Sequence, residues 1–256
     1  MQKHLSILLS LTFLICLSFS TNAQELAEDQ RKGYILDSKG KKKEGIIELS
    51  SLRNPWSNQR SIKFIDTKTW EKSKGKLKKK DKEKFKAKDL QGYGFDDREF
   101  VTVKYTAVAG DDGSDVNKFT SRMSTISNLT KNQHMVERLL DGEVSVYRFY
   151  SYPPEASAYK GSEKEQYEAM IEGLRTTPSI LMKKGKKGKI KDFEDLLGFK
   201  KFIGDCEKVL TKYENNEYMK KSKLKVKGMV KDALSGSTAE DKCLEIMRDY
   251  NEFCGK

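Results

Sequence analysis

Met135-Val-Glu-Arg-Leu-Leu-Asp-Gly-Glu-Val-Ser-Val-Tyr-Arg-Phe-Tyr-Ser-Tyr-Pro-Pro154 is the stretch on which the fold class turns. Asp141-Gly142 is a two-residue hairpin signal, because a tight antiparallel turn needs positive φ values that Asp and Gly tolerate. The segment from Val144 to Tyr152 is dense in β-branched and aromatic residues, which suit a pleated, packed surface. Pro153-Pro154 closes it, since proline cannot donate to a strand ladder. Beyond these prolines the apolar spacing changes from strand-like to helical.

Working towards the N-terminus, strand signals continue. Leu90–Phe95 and Glu99–Val108 carry strand character, and 61–66 alternates Ile62, Phe64 and Asp66 against Ser61, Lys63 and Ile65. Gly33-Tyr-Ile-Leu and Glu44-Gly-Ile-Ile-Glu-Leu flank a lysine-rich turn and predict a hairpin. Between them and Leu90 lies Lys68 to Lys88, with eleven lysines. So polar a run buries almost nothing and predicts a mobile loop or hairpin tip.

Working towards the C-terminus, Tyr167, Met170, Ile171 and Leu174 share one helical face, and Ser179–Met182 reads as a further strand. Helical spacing resumes from Lys191 through Phe193, Leu196, Leu197, Phe202, Ile203, Cys206, Val209, Leu210 and Tyr213, with a break expected at Gly198. Lys220–Leu234 fits either a strand or a helix. Cys243, Ile246, Met247, Tyr250 and Phe253 form the stripe of a last helix. The expected class is α+β, with a β-rich N-terminal half of antiparallel hairpins followed by a mostly helical C-terminal half. The corresponding regions are 24–152 and 153–256, with the possibility of one continuous domain.

Residues 1–23 read as a secretory signal peptide. A basic start at Lys3 and His4 precedes an apolar run from Leu5 to Phe19, and small residues at Thr21 and Ala23 suit a cut after Ala23. The run is short for a bilayer span, which needs about 20 residues, and no later segment is apolar enough to cross. Secretion or a periplasmic location follows as an expectation. Cys16 leaves with the signal, so Cys206, Cys243 and Cys254 are read as disulfide candidates. On one helix, Cys243 and Cys254 would lie about 16 Å apart, beyond the roughly 7 Å Cα limit of a disulfide. Cys206–Cys254 is the favoured pair and Cys206–Cys243 the alternative.

The chain has 256 residues, of which 34% are charged and 36% hydrophobic, with a net charge of +12. Twenty-five aromatic residues argue for a packed core. Four Pro, four Cys and one long apolar run exclude collagen-like, disulfide-dense and polytopic membrane classes. After signal removal His134 is the only histidine, with no Gly-x-Ser-x-Gly turn near it, so it reads as a surface or satisfied core residue and no catalytic residue is assigned. Asp111–Asn117 resembles a calcium loop but has no glycine at its sixth position, and Arg122 stands where the bidentate Glu belongs. Asp96 and Asp97 cannot be paired for glycosidase work from adjacency. Neither a metal site nor a cofactor is expected. Tyr147, Phe149, Tyr150 and Tyr152 suit a core strand better than a base-stacking surface.

The positive signal is the lysine tracts. Lys78, Lys79, Lys80, Lys186 and Lys187 are the candidate contacts for a polyanion, such as anionic envelope lipid or polysaccharide. Nearly all are Lys, whereas bidentate phosphate recognition favours Arg. The exported setting makes nucleic acid an unexpected partner.

Several short pieces, in order, carry a resemblance. They are the Gly33 to Ile47 hairpin, Asp89-Leu-Gln-Gly-Tyr-Gly-Phe95, Met135–Tyr147, Phe199-Lys-Lys-Phe-Ile-Gly-Asp-Cys206 and Tyr250-Asn-Glu-Phe-Cys254. With the signal peptide, they resemble uncharacterised exported proteins of Bacteroidota. The resemblance implies a periplasmic or surface location and an α+β fold, and brings no activity or catalytic residue. The expected function is a non-catalytic structural or ligand-binding module of the cell envelope. The alternatives are an envelope polymer hydrolase using carboxylates, or a polyanion binder acting through lysine loops.

Overall fold

The computed structural model describes residues 25–74, 76–106, 133–154, 160–161, 163–192, 196–220 and 236–255. Its strands are β1 (Gln30–Asp37), β2 (Lys42–Leu49), β3 (Ser61–Asp66), β4 (Glu83–Lys86), β5 (Leu90–Phe95), β6 (Arg98–Lys104), β7 (Gln133–Leu140), β8 (Val144–Phe149), β9 (Ser179–Lys184) and β10 (Ile190–Asp192). They form one sheet in the order β10-β9-β8-β7-β6-β5-β1-β2-β3-β4, and every neighbouring pair is antiparallel. The helices are α1 (Pro55–Arg60), α2 (Thr67–Ser73), α3 (Glu163–Thr176), α4 (Leu196–Ile203), α5 (Glu207–Glu214), α6 (Glu217–Lys220) and α7 (Gly236–Cys254). The chain is α+β.

Strand β8 shows why so apolar a segment forms here. Its Val144 and Val146 face a core built with α4, α5 and α7, where Phe199, Phe202, Ile203, Val209 and Met247 are buried. Tyr147 and Phe149 belong to a second core with Trp56 of α1, Ile171 of α3 and Leu181 of β9. Alternate residues of one strand thus feed both cores, so both sides must be apolar. A third core lies on β1, β2, β3, β5 and β6, with Ile35, Ile47, Phe64, Tyr93, Phe95 and Phe100. Close strand approach there requires glycine. A Cβ on Gly45 would lie 2.2 Å from the Ile65 carbonyl oxygen and 2.7 Å from the Phe64 ring.

Three local expectations are corrected. The lysine-rich stretch 68–88 is not a mobile loop: it holds most of α2, the whole of β4 and two 3-10 turns, Lys79–Asp81 and Ala87–Asp89. Its few apolar residues anchor it. Trp70 packs with Ile46 and Ile65, Ala87 is buried in the third core, and Phe85 packs against that core. Gly198 does not break a helix but lies within α4, and the turn comes later, between Ile203 and Cys206. Lys191, taken as the start of helical spacing, pairs with Met182 in β10. The signal peptide with Cys16, the Asp111–Asn117 segment with Arg122, and residues 221–234 lie outside the described residues.

The last helix is fixed to the sheet by polar contacts as well as packing. The Asn251 side chain accepts from the Val144 N–H at 2.7 Å and donates to the Val144 carbonyl at 2.9 Å. Cys206, just before α5, and Cys254, at the end of α7, are joined in a disulfide with Cα atoms 5.8 Å apart. Cys243 is a free, buried thiol, and burial pushes its pKa up to about 12. Among the described residues no helix is long and apolar enough to cross a membrane.

Candidate functional site

His134 is 1% exposed and fully engaged. Its Nε2 lies 3.0 Å from the Tyr105 carbonyl, which can only accept, so Nε2 carries the proton. Nδ1 then accepts from the Tyr152 hydroxyl at 2.8 Å. Burial drives its pKa down to about 4; the hydrogen bond to Tyr105 opposes the fall, and the Arg60 charge adds to it. This is a satisfied core histidine. A base whose folded pKa lies below its unfolded value withholds stability in acid. The contribution is intact above about pH 6.5, the unfolded pKa, and is lost as pH falls towards 4, by at most about 3 kcal/mol. Urea unfolding at pH 7 and pH 4.5 should therefore show a pH-dependent loss that shrinks in His134→Asn. An unchanged loss in the variant would refute the assignment.

The lysine candidates are exposed but are not brought together. Lys78, Lys79 and Lys80 lie just before β4, at one edge of the sheet, whereas Lys186 and Lys187 lie between β9 and β10, at the other. Tyr147, Phe149 and Tyr152 are buried core residues, so they offer no stacking surface. Asp96, with a φ of 50°, and Asp97 make the turn between β5 and β6.

The arginines behave differently from the lysines. Arg31, Arg53, Arg98, Arg148 and Arg175 all line one cleft of about 510 Å³. They come from β1, the segment before α1, β6, β8 and the end of α3. Two carboxylates, Asp96 and Glu137, share the lining, so the cleft carries an excess of positive charge. Nine of the chain's 50 basic residues are arginine, and more than half of those nine converge here.

Glu137 organises the floor of the cleft. Arg98 donates from Nε at 2.7 Å and from Nη2 at 3.0 Å to its two carboxylate oxygens. Arg148 donates to Glu137 Oε2 at 2.7 Å through Nη1, and its other nitrogens bind Glu240 of α7, the Nε contact being 2.8 Å. Burial resists ionisation of Glu137, but the Arg98 hydrogen bonds and the charges of Arg98 and Arg148 outweigh it and hold its pKa below the ordinary value. The Arg98 guanidinium also lies 5.0 Å from the Phe100 ring centre and 5.6 Å from that of Phe95, a favourable cation–π placement. Tyr93 stacks on Phe100 at 4.5 Å. Tyr93 is a lining residue, and its hydroxyl is buried without a hydrogen-bond partner among the described residues, an uncommon condition for a buried polar group.

The donors left over set what the cleft can do. Arg148 is committed to Glu137 and Glu240. Arg175 donates to Asn54 and Glu172, through Nε and Nη1, and Arg31 donates Nη1 to two backbone carbonyls. Arg53 has no hydrogen bond or ion pair among the described residues. Unused guanidinium N–H groups therefore remain on Arg31, Arg53, Arg98 and Arg175, and charge-assisted bonds from such groups suit oxyanions. The amides of Asn58 and Gln59 also line the cleft but are spent on the Ser51 and Tyr150 backbones.

A larger groove of about 880 Å³ lies beside β6, β9 and β10, with Lys104, Arg138, Lys183, Lys189 and Lys191 among its lining residues. Thr106 and Asp192, also on its wall, are the last described residues before 107–132 and 193–195. No single spacing announces the cleft, because its arginines stand at 31, 53, 98, 148 and 175. The usable signal was the scarcity of arginine in a lysine-dominated chain. In comparisons with known proteins, no family, no curated protein and no solved structure matches this chain.

Proposed function

We propose that this is an exported, non-catalytic binding module of the cell envelope, and that its arginine cleft takes an anionic ligand. The observation that carries the reading is the convergence of five arginines from five separate chain segments on one cleft, with unused donors on four of them. The planar guanidinium presents paired N–H donors that match carboxylate or phosphate oxygens, so an arginine cluster recognises such anions more selectively than surface lysines do. Export through the signal peptide cut after Ala23, kinship with exported Bacteroidota proteins, and a β-rich half running into a helical half as one continuous domain belong to the same reading. The disulfide fits an oxidising compartment.

Titration calorimetry with inorganic pyrophosphate tests the anion site. The double variant Arg31→Ala, Arg53→Ala should weaken binding by tenfold or more, whereas Lys78→Ala, Lys79→Ala, Lys80→Ala together should leave it within about twofold. The reverse ranking would replace the cleft with the lysine edge as the binding surface. Mass spectrometry of the secreted chain should find Gln24 at its N-terminus, and retention of residues 1–23 would overturn the export reading.

A further inference from the structure

The arginine cleft has an apolar lip. Leu52, 47% exposed, is the only large apolar side chain that the described residues leave exposed. It lines this cleft, between Ser51 and Arg53, which line it too. Leu49 and Pro55 also line the cleft, on the same chain segment. Single exposed apolar side chains are ordinary, so exposure alone would carry nothing. The position of Leu52 does: it is next in sequence to Arg53, the cleft arginine without a partner among the described residues. Residues 49–55 therefore set apolar surface and a free guanidinium side by side at one cleft.

Resting on the reading of the cleft as an anion site, we infer that its ligand is an amphiphile, a phosphate headgroup joined to a short or exposed apolar chain. The headgroup sits among the free donors of Arg31, Arg53, Arg98 and Arg175, and the apolar part runs along Leu49, Leu52 and Pro55. Phosphate fits better than carboxylate for a geometric reason. The donors come from four separate elements, and a tetrahedral oxyanion accepts from several sides at once, whereas a carboxylate presents its oxygens in one plane. The volume of the cleft, about 510 Å³, suits a headgroup and the first carbons of a chain; a whole long-chain lipid would extend beyond it.

The probe is dihexanoyl phosphatidic acid kept below its micelle concentration, with inorganic phosphate as the headgroup-only arm, each titrated into the full secreted chain. The lipid should bind about tenfold tighter than phosphate. Leu52→Asn should weaken the lipid about fivefold and leave phosphate unchanged, because half of a leucine side chain leaves the contact. Arg53→Ala should weaken both. Leu52 and Arg53 are exposed, so both variants should melt with the parent, and circular dichroism checks this. Equal affinity for lipid and phosphate, or a silent Leu52→Asn, overturns the amphiphile while leaving an anion site standing. Lipid binding that survives Arg53→Ala, with no phosphate binding to the parent, overturns both readings, since an apolar site elsewhere would then be responsible.

Discussion

Replacing Cys206 and Cys254 together by alanine should lower the stability of the folded chain by about 4 kcal/mol, the chain-entropy value for opening a loop of this length. The bond joins residues 48 apart in sequence and ties the start of α5 to the end of α7. Without it, the last helix is held by packing and by Asn251 and Glu240 on the sheet. The expected fall in midpoint is roughly 10 °C for a chain of this size. Reduction of the parent should give the same shift, read by thermal melting with and without reductant. Under native oxidising conditions Cys243 should resist alkylation, since its thiol is buried and its pKa is raised to about 12. A midpoint unmoved by the double substitution would show that the α7 contacts alone fix the helix, and two or more labelled thiols in the native oxidised chain would refute the bond.

Glu137→Gln should act in opposite directions on folding and on binding. In the parent, one carboxylate holds the guanidiniums of Arg98 and Arg148 in place. Removing its charge leaves two facing cations, and breaking a buried pair costs about 3–5 kcal/mol. The arginine side chains here are 46% and 24% exposed, so solvent screens part of this and about 2–3 kcal/mol is the better expectation. The same change should tighten pyrophosphate binding, because Glu137 is the internal anion with which a ligand shares Arg98. Added pyrophosphate should then restore part of the lost stability by mass action. Denaturant titrations with and without pyrophosphate read both effects. A variant that is destabilised but binds pyrophosphate more weakly than the parent would mean that Glu137 shapes the site and does not compete for it.

Much of the architecture was legible because it follows from local patterning. The β1–β2 hairpin and the alternation in 61–66 depend on backbone geometry and period, which neighbouring residues decide. The hairpin at Asp141-Gly142 forms, but not as a two-residue turn: Leu140 pairs with Val146, Asp141 is not at positive φ, and the Asn251 side chain on Val144 fixes this corner from α7. Strand β8 also ends at Phe149, short of Pro153-Pro154. Lys68 to Lys88 was misread for a physical reason. Its composition is that of a solvated loop, but Trp70, Phe85 and Ala87 suffice to seat it on the sheet, and lysine stems lie easily along such a surface. A further ion pair helps: Glu48 is buried among Gln30, Lys63 and Lys82. Burial opposes its ionisation, yet hydrogen bonds from all three outweigh it and bring its pKa down to about 2.

The sequence by itself determined the α+β class, the β1–β2 hairpin, the stripe of the last helix and the exclusion of a Cys243–Cys254 bond, because each rests on spacing within one or two elements. The tertiary structure chose Cys254 over Cys243 as the partner of Cys206 and put His134 in the core, not on the surface. Only the tertiary structure decided where the charge acts. It sent the two lysine tracts to opposite edges of the sheet and drew Arg31, Arg53, Arg98, Arg148 and Arg175 into one cleft. The first and last of those five residues are 144 positions apart in the chain, and tertiary folding, not proximity in sequence, makes them neighbours. Buried Glu137 and part-buried Glu240 then hold Arg148, and Glu137 holds Arg98.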